Sequence, residues 1–276
     1  MDYKLIVTDM DGTLLGSNHK ITEDNKKALK EVLKNGINVT VATGRMYKSA
    51  KTHIDFLNSK IPIIACNGAL IKDPVTEETI YSNAISTDVF FKILKTLDKY
   101  DVYYQCSTED LLMCKKMNKI NDKRKKINDM ISKEINLIEI NNFVEHTLDN
   151  EILKIVVIEE ENPSILEEIM QEVCLIGGIE VTKSWFNNIE IMAAGSDKGS
   201  SLKFIADYLN IKREEIIAFG DNYNDITMLE YAGTGVAMGN ADDFVKSKAN
   251  YVSLKNYEDG VAKAIYELIK LKVTNE

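Results

Sequence analysis

Two aspartates, Asp9 and Asp11, stand just after a short apolar run, Leu5-Ile6-Val7, and the chain turns at Gly12. Carboxylates at the carboxyl end of a buried strand sit where open α/β sheets place their ligands. Two anions about 4 Å apart in an effective dielectric of about 20 repel by roughly 4 kcal/mol. The pair therefore calls for a cation, a proton or a basic side chain. An ordinary capped turn is the competing reading, because Asp and Gly are both turn formers.

Three further polar clusters follow the same grammar. Ile37–Ala42 reads as a strand and ends in Thr43-Gly44-Arg45; Ile61–Cys66 ends in Asn67-Gly68; Glu215–Phe219 ends in Gly220-Asp221-Asn222-Tyr223-Asn224-Asp225. Helical patterns lie between them, such as Thr22–Lys34 with Ala28, Leu29, Val32 and Leu33 on one side. Alternating strand and helix predicts an α/β fold, a parallel sheet with helices on both faces. All strand carboxyl ends then share one edge, and Asp9, Asp11, Thr43, Asn67, Asp221 and Asp225 can meet in one crevice. Lys198 opens a helix that follows Gly195-Ser196-Asp197, a position that favours anions. A surface lysine is the plain alternative there.

A crevice of Asp9, Asp11, Asp221 and Asp225 with Lys198 and Thr43 suits a hard cation. Mg²⁺ takes one or two carboxylates, keeps waters and meets a phosphate oxygen. With a lysine and a threonine hydroxyl it neutralises a phosphoryl group. One carboxylate can then attack phosphorus, and a second, protonated, can donate to the leaving oxygen and later activate water. A structural calcium or a plain acidic crevice is the rival. Calcium loops, however, gather their ligands in one short segment, and these candidates are spread along the chain. No Gly-x-x-x-x-Gly-Lys-[Ser/Thr] phosphate loop is present.

The 276 residues are 45% hydrophobic with a formal net charge of −9, a globular composition without the basic footprint of a nucleic-acid binder. Cys66, Cys106, Cys114 and Cys174 form no Cys-x-x-Cys pair, and His19, His53 and His146 lack ligand-like spacing to them. Zinc is not expected, and the cysteines read as reduced thiols. Neither a secretory apolar segment nor a run of about 20 apolar residues occurs, so a soluble cytoplasmic protein with no membrane partner is expected.

The chain divides into three stretches. Residues 1–83 carry the first strand–helix units and a hairpin near 70–82. Residues 84–189 change texture to an α+β block, and residues 190–276 return to the α/β pattern. Within the block, residues 115–136 are rich in Lys and read either as a solvated helix face or as a basic lip for phosphorylated ligands. Trp185 and Phe186 read as core aromatics, with ligand stacking as the alternative.

These motifs, in this order, resemble the haloacid dehalogenase superfamily, and within it the Cof-type phosphatases. Asp9-Met10-Asp11-Gly12-Thr13, Thr43-Gly44-Arg45, Lys198-Gly199 and Gly220-Asp221-x-x-Asn224-Asp225 resemble its four motifs, with Asn67-Gly68-Ala69 and Val236–Ala241 as Cof-type features. The resemblance implies a Rossmann-like core built from both chain ends with an inserted α+β cap. It implies Asp9 as nucleophile and Asp11 as acid/base. Thr43, Lys198 and backbone amides near Met10, Asp11 and Gly44 would bind the phosphoryl group, with Asn224 in contact. Asp9, Asp11, Asp221 and Asp225 would serve Mg²⁺, Asp11 through its carbonyl. Arg45 would reach substrate or form a structural ion pair. The expected function is Mg²⁺-dependent hydrolysis of small phosphorylated metabolites, sugar phosphates first, through an aspartyl-phosphate. A phosphotransferase or mutase, or a phospho-ligand sensor without turnover, is the alternative. A monomer or small homo-oligomer is expected.

Overall fold

Alternation along the central strands explains the core. In Leu5–Thr8 and Ile216–Gly220, Ile6, Ile217 and Phe219 pack to one side, and Leu5, Val7, Ile216 and Ala218 to the other. Both faces are apolar, as a parallel sheet between helices requires. The computed structural model describes residues 2–115, 122–147 and 150–269. It shows a five-stranded parallel sheet in the order Tyr251–Val252, Thr234–Ala237, Ile216–Gly220, Leu5–Thr8, Asn38–Val41. Helices Glu23–Lys34, Tyr47–Ile54 and Gly260–Ile269 cover one face; Lys198–Tyr208 and Ile226–Tyr231 cover the other. Thr22 caps the first helix, its hydroxyl accepting the Asn25 N–H.

The strand Ile63–Ala65 touches the parallel sheet by one bridge, Ala42 to Ile64. Its ladder partner is the strand Leu70–Lys72, which pairs in turn with Thr79–Ser82, the hairpin expected near 70–82.

The inserted block holds a second sheet, in the order Ile179–Thr182, Asn188–Ala193, Lys154–Ile158, Tyr103–Ser107, Leu111–Lys115, Asn136–Ile140. Its pairs are antiparallel except the last. Helices Thr87–Leu97 and Ile165–Cys174 cover one face around Phe90, Ile93, Ile169, Ile155 and Ile191. The opposite face turns toward the α/β core. The strand Asn188–Ala193 straddles the expected boundary between 189 and 190 and pairs wholly within this second sheet. No helix among the described residues is long and apolar enough to cross a membrane.

Candidate active site

The parallel strands Leu5–Thr8, Asn38–Val41 and Ile216–Gly220 deliver Asp9, Thr43 and Asp221 to one edge, because all three run the same way. The Asp9 N–H donates to the Phe219 carbonyl at 2.9 Å, which ties the first loop to the neighbouring strand. Met10 buries its side chain in the core, and its carbonyl accepts the Leu15 N–H at 2.8 Å, closing the turn that carries Asp11. Gly12 has φ +83°, and a Cβ there would lie 2.3 Å from Asp221 Oδ2. Only glycine lets the two acidic loops come this close.

Lys198 begins its helix after Asp197, whose carboxylate accepts the N–H groups of Gly199 and Ser200. Its side chain points into the crevice and is 1% exposed, which rules out the surface-lysine reading. Lys198 Nζ donates to Asp9 Oδ1 and to Asp225 Oδ1, each at 2.6 Å. Asp225 Oδ2 accepts the backbone N–H groups of Asp221 and Asn222, both at 2.9 Å. Both Asp225 oxygens are thus engaged in holding Lys198 and the Asp221 loop. Thr13 Oγ1 donates to Asp221 Oδ1 at 2.6 Å, and Asn240 Nδ2 reaches the Gly12 carbonyl at 2.8 Å and Asp221 Oδ2 at 3.3 Å.

Among the described residues, Asp9, Asp221 and Asp225 offer carboxylate oxygens within 4.8 Å of one another. One buried lysine does not balance three carboxylates. Burial pushes the Asp9 carboxyl well above its ordinary range against the pull of Lys198, and Asp225 and Asp221 add to the rise. Burial and Asp225 push Asp221 up to about 7. Lys198 moves the other way: burial would lower it, but Asp225 and Asp9 outweigh that and raise it. An all-oxygen donor set with surplus negative charge fits a hard divalent cation such as Mg²⁺. The Asp11 carboxylate does not join this group.

Asp11 turns instead to Arg45. The guanidinium grips it with Nε to Oδ2 and Nη2 to Oδ1, both 2.7 Å, the bidentate fork that suits carboxylates. Loss of water around Asp11 works to raise its carboxyl, but the Arg45 bonds and charge hold it below its usual value. Arg45 Nη1 also donates to Ser49 Oγ at 3.1 Å, and Ser49 donates to Glu134 Oε2 of the inserted block at 2.9 Å. Of the two roles open to Arg45, the structure shows the ion pair. Thr43 is 1% exposed, and its Oγ1 accepts the Arg45 N–H at 3.1 Å, shaping the loop through Gly44. Asn224 donates to Asn67 Oδ1 at 3.1 Å, and Asn67 in turn bonds Glu190.

Sequence reasoning missed Lys154 and Glu190. They pair at 3.4 Å with side chains 6% and 7% exposed, and Lys154 Nζ donates to the Gly44 carbonyl. Ser184 Oγ donates to Glu190 Oε1 at 2.8 Å, and Asn222 Nδ2 donates to the Ser184 carbonyl at 2.8 Å. The inserted block therefore meets the loops that carry Gly44 and Asn222 through polar contacts. A lone charge inside the apolar runs Ile152–Ile158 and Ile189–Met192 was the available signal. Thr13 and Asn240 lie inside motifs already singled out, but their contacts with the Asp221 loop were missed.

Other expectations resolve plainly. Trp185 and Phe186 are not core aromatics: they are 61% and 71% exposed. The four cysteines are free, and burial pushes the Cys66 thiol up to about 11, so it is no thiolate nucleophile at neutral pH. The basic stretch lies partly outside the described residues, at 116–121. Where described, Lys125, Lys126 and Lys133 face solvent, and Arg124 is buried against Glu160.

A parallel sheet with an aspartate pair, a buried lysine and an acidic third loop at its carboxyl edge, under an inserted α+β block, defines a phosphoryl-handling hydrolase of the haloacid dehalogenase type. A family model for haloacid dehalogenase-like hydrolases matches residues 6–265. The chain belongs to that family, in its Cof-type branch, and is a phosphoric monoester hydrolase. It is 32% identical over 265 residues to the 5-amino-6-(5-phospho-D-ribitylamino)uracil phosphatase YcsE of Bacillus subtilis, covering 96% of this chain and 95% of that one. A solved haloacid dehalogenase-like hydrolase from B. subtilis is 30% identical with a TM-score of 0.86, covering 96% of this chain and 99% of that one. The solved subclass IIB sugar phosphatase BT4131 is 26% identical with a TM-score of 0.81, covering 97% and 100%.

Proposed function

We propose that the protein hydrolyses small phosphomonoesters with Mg²⁺, through an aspartyl-phosphate on Asp9. The observation that carries this reading is the Asp9–Lys198–Asp225 cluster beside Asp221, with Asp11 on the adjoining turn. Asp9 attacks phosphorus, with Lys198 neutralising charge on both the attacking carboxylate and the phosphoryl group. Thr43 and the backbone amides of Met10, Asp11 and Gly44 cradle the phosphoryl oxygens. Asp11 protonates the leaving oxygen, then takes a proton from the water that opens the intermediate. The Asp9 and Asp221 carboxylates and the Asp11 carbonyl would hold Mg²⁺, which supplies positive charge for the phosphoryl oxygens. Asp225 positions Lys198 and the Asp221 loop rather than touching substrate.

In this closed arrangement Arg45 keeps Asp11 ionised, the form that activates water. For the first step the Asp11 carboxyl must carry a proton, so it has to loosen from Arg45 as the ester enters. The named activities of the relatives, on a ribitylaminouracil phosphate and on sugar phosphates, mark the range of small phosphorylated metabolites this site would serve. The test is phosphate release from a panel of such esters. Release should stop with chelator and return with Mg²⁺; full activity of metal-free protein would overturn the reading. Glucose 6-phosphate and pyridoxal 5′-phosphate belong in that panel as representatives of sugar and heterocyclic esters.

A further inference from the structure

The inserted block sends a charged side chain into the Thr43-Gly44-Arg45 loop. Register places Lys154, Val156, Glu190 and Met192 on one face of the second sheet, because Lys154 pairs with Met192 and Val156 with Glu190. Ile155, Val157, Ile189 and Ile191 take the other face, under the helices. Lys154 and Glu190 therefore point toward the α/β core, and both are buried there.

Stability alone does not account for an ion pair in such a place. The cost of taking two charges from water rivals their attraction, and apolar residues of similar volume often serve a fold better. The bonds of this pair are directional, and they converge on one loop. The Thr43 carbonyl accepts the Asn67 N–H and the Arg45 carbonyl accepts the Cys66 N–H, each at 2.9 Å. The Gly44 carbonyl between them accepts from Lys154 Nζ, a closer contact than the 3.4 Å to Glu190. The core thus holds the two outer carbonyls of the loop, and the inserted block holds the middle one. The fit is close: a Cβ on Gly44 would lie 3.0 Å from Asn67 Oδ1 and 3.4 Å from both Glu190 Oε2 and Lys154 Nζ. Cys66 and Asn67 both adopt left-handed backbone, at φ +49° and +56°, a costly conformation held by these bonds and by the Asn67 amide on Glu190.

The Gly44 carbonyl and the Arg45 N–H are two ends of one peptide. That N–H donates to Thr43 Oγ1 at 3.1 Å. An ammonium on the carbonyl polarises the peptide and strengthens its N–H as a donor. Thr43 Oγ1 accepts there, so its one hydroxyl proton is left for another acceptor.

Resting on the phosphatase reading, we infer that Lys154 is a positioning residue for phosphoryl transfer. Held by Glu190, it sets the Gly44–Arg45 peptide, and that peptide aims the Thr43 hydroxyl at a phosphoryl oxygen. The loop that receives the phosphoryl group is complete only with the inserted block in place. Lys154 acts through Thr43 and not through contact with the ester.

The test is a double-variant cycle on the full chain with Mg²⁺: Lys154→Met, Thr43→Val and the two together. Each is assayed on acetyl phosphate, which has almost no leaving-group body, and on the best ester of the panel above. Lys154→Met should lower kcat by about tenfold to a hundredfold, the scale of a small misplacement beside a reacting centre. The factor should be the same on both esters. Lys154→Arg, which can still donate to the carbonyl, should recover part of the loss. With Thr43→Val in place, Lys154→Met should cost less than about threefold more, because the group it aims is gone. If Lys154→Met fails to fold with Glu190 left unpaired, Lys154→Met combined with Glu190→Gln removes both charges and carries the same comparison. Losses that multiply would overturn the inference and leave the pair a structural one. A loss confined to the larger ester would also overturn it, by placing Lys154 on the leaving group, and so would no loss at all. Each of these outcomes spares the phosphatase reading. A native chain that releases phosphate from no ester, acetyl phosphate included, would overturn both.

Discussion

Lys198 carries more of the site than any other single side chain. It is buried between Asp9 and Asp225, with 2.6 Å bonds to each. Its partners answer for its burial, and its removal leaves two enclosed carboxylates facing each other. Lys198→Met keeps length and removes charge. We predict a loss of about a hundredfold to a thousandfold in turnover, the scale for losing one contact to developing charge. The loss should be similar for all esters, since the phosphoryl group is common to them. A variant that spared some substrates would make Lys198 a specificity residue. Because breaking a buried ion pair itself costs about 3–5 kcal/mol, a thermal melt must accompany the rate measurement. Arg45 invites a different experiment. It holds the Asp11 carboxyl low, so in Arg45→Met that carboxyl should titrate at higher pH. The limb of the pH–rate profile governed by Asp11 should move up with it, and an unmoved profile would separate Arg45 from Asp11 chemistry. Apart from Lys198, which opens a helix, the motif residues were legible because each is polar at the end of an apolar strand. Their partners were not: nothing in the sequence says that Arg45 grips Asp11 or that Asp225 spends both oxygens on protein donors.

At the scale of elements, the site depends on loops that touch. Gly12 is the clearest case, since its positive φ and lack of Cβ let the first loop press on Asp221. Gly12→Ala should push that carboxylate away and cost more than tenfold in turnover, as small misplacements at a reacting centre do. Weaker stabilisation by Mg²⁺ in a melt should accompany it; wild-type values for both would mean the loop has room to spare. Strands were predictable where β-branched runs end in polar clusters, and the helix Glu23–Lys34 from its apolar spacing and Thr22 cap. The edge of the inserted block was harder. Asn188–Ala193 reads from its alternation as a strand, but sheet membership follows from pairing with Lys154–Ile158, a contact remote in sequence. Lys154 and Glu190 show how such contacts announce themselves: a charge within an apolar strand points at something polar across an interface.

For the whole molecule, the acidic crevice couples pH to stability and, under the proposed function, both to the metal. Asp221 titrates near 7 in the fold, above the ordinary carboxyl value of about 3.9. A carboxyl raised in this way makes the metal-free fold most favoured while it is protonated. That contribution is present below about pH 4 and is lost as pH rises toward 7. A divalent cation competes with the same proton. The rise in melting temperature on adding Mg²⁺ should therefore be small at pH 5 and large at pH 8. Below pH 7 the apparent affinity should fall by up to about tenfold per pH unit. A metal effect independent of pH would place the ion elsewhere. The inserted block contacts the loops around this crevice through the Arg45–Ser49–Glu134 chain and the Lys154–Glu190 pair.

The central claim is that Asp9 becomes covalently phosphorylated. The most direct measurement is an acid quench during turnover with Mg²⁺, followed by peptide mass spectrometry, in Asp11→Asn protein whose intermediate lacks its water-activating base. The account predicts one phosphoryl group on Asp9 and none in the Asp9→Asn, Asp11→Asn double variant. A phosphoryl group on another residue would contradict it. So would turnover of Asp9→Asn protein at the native rate.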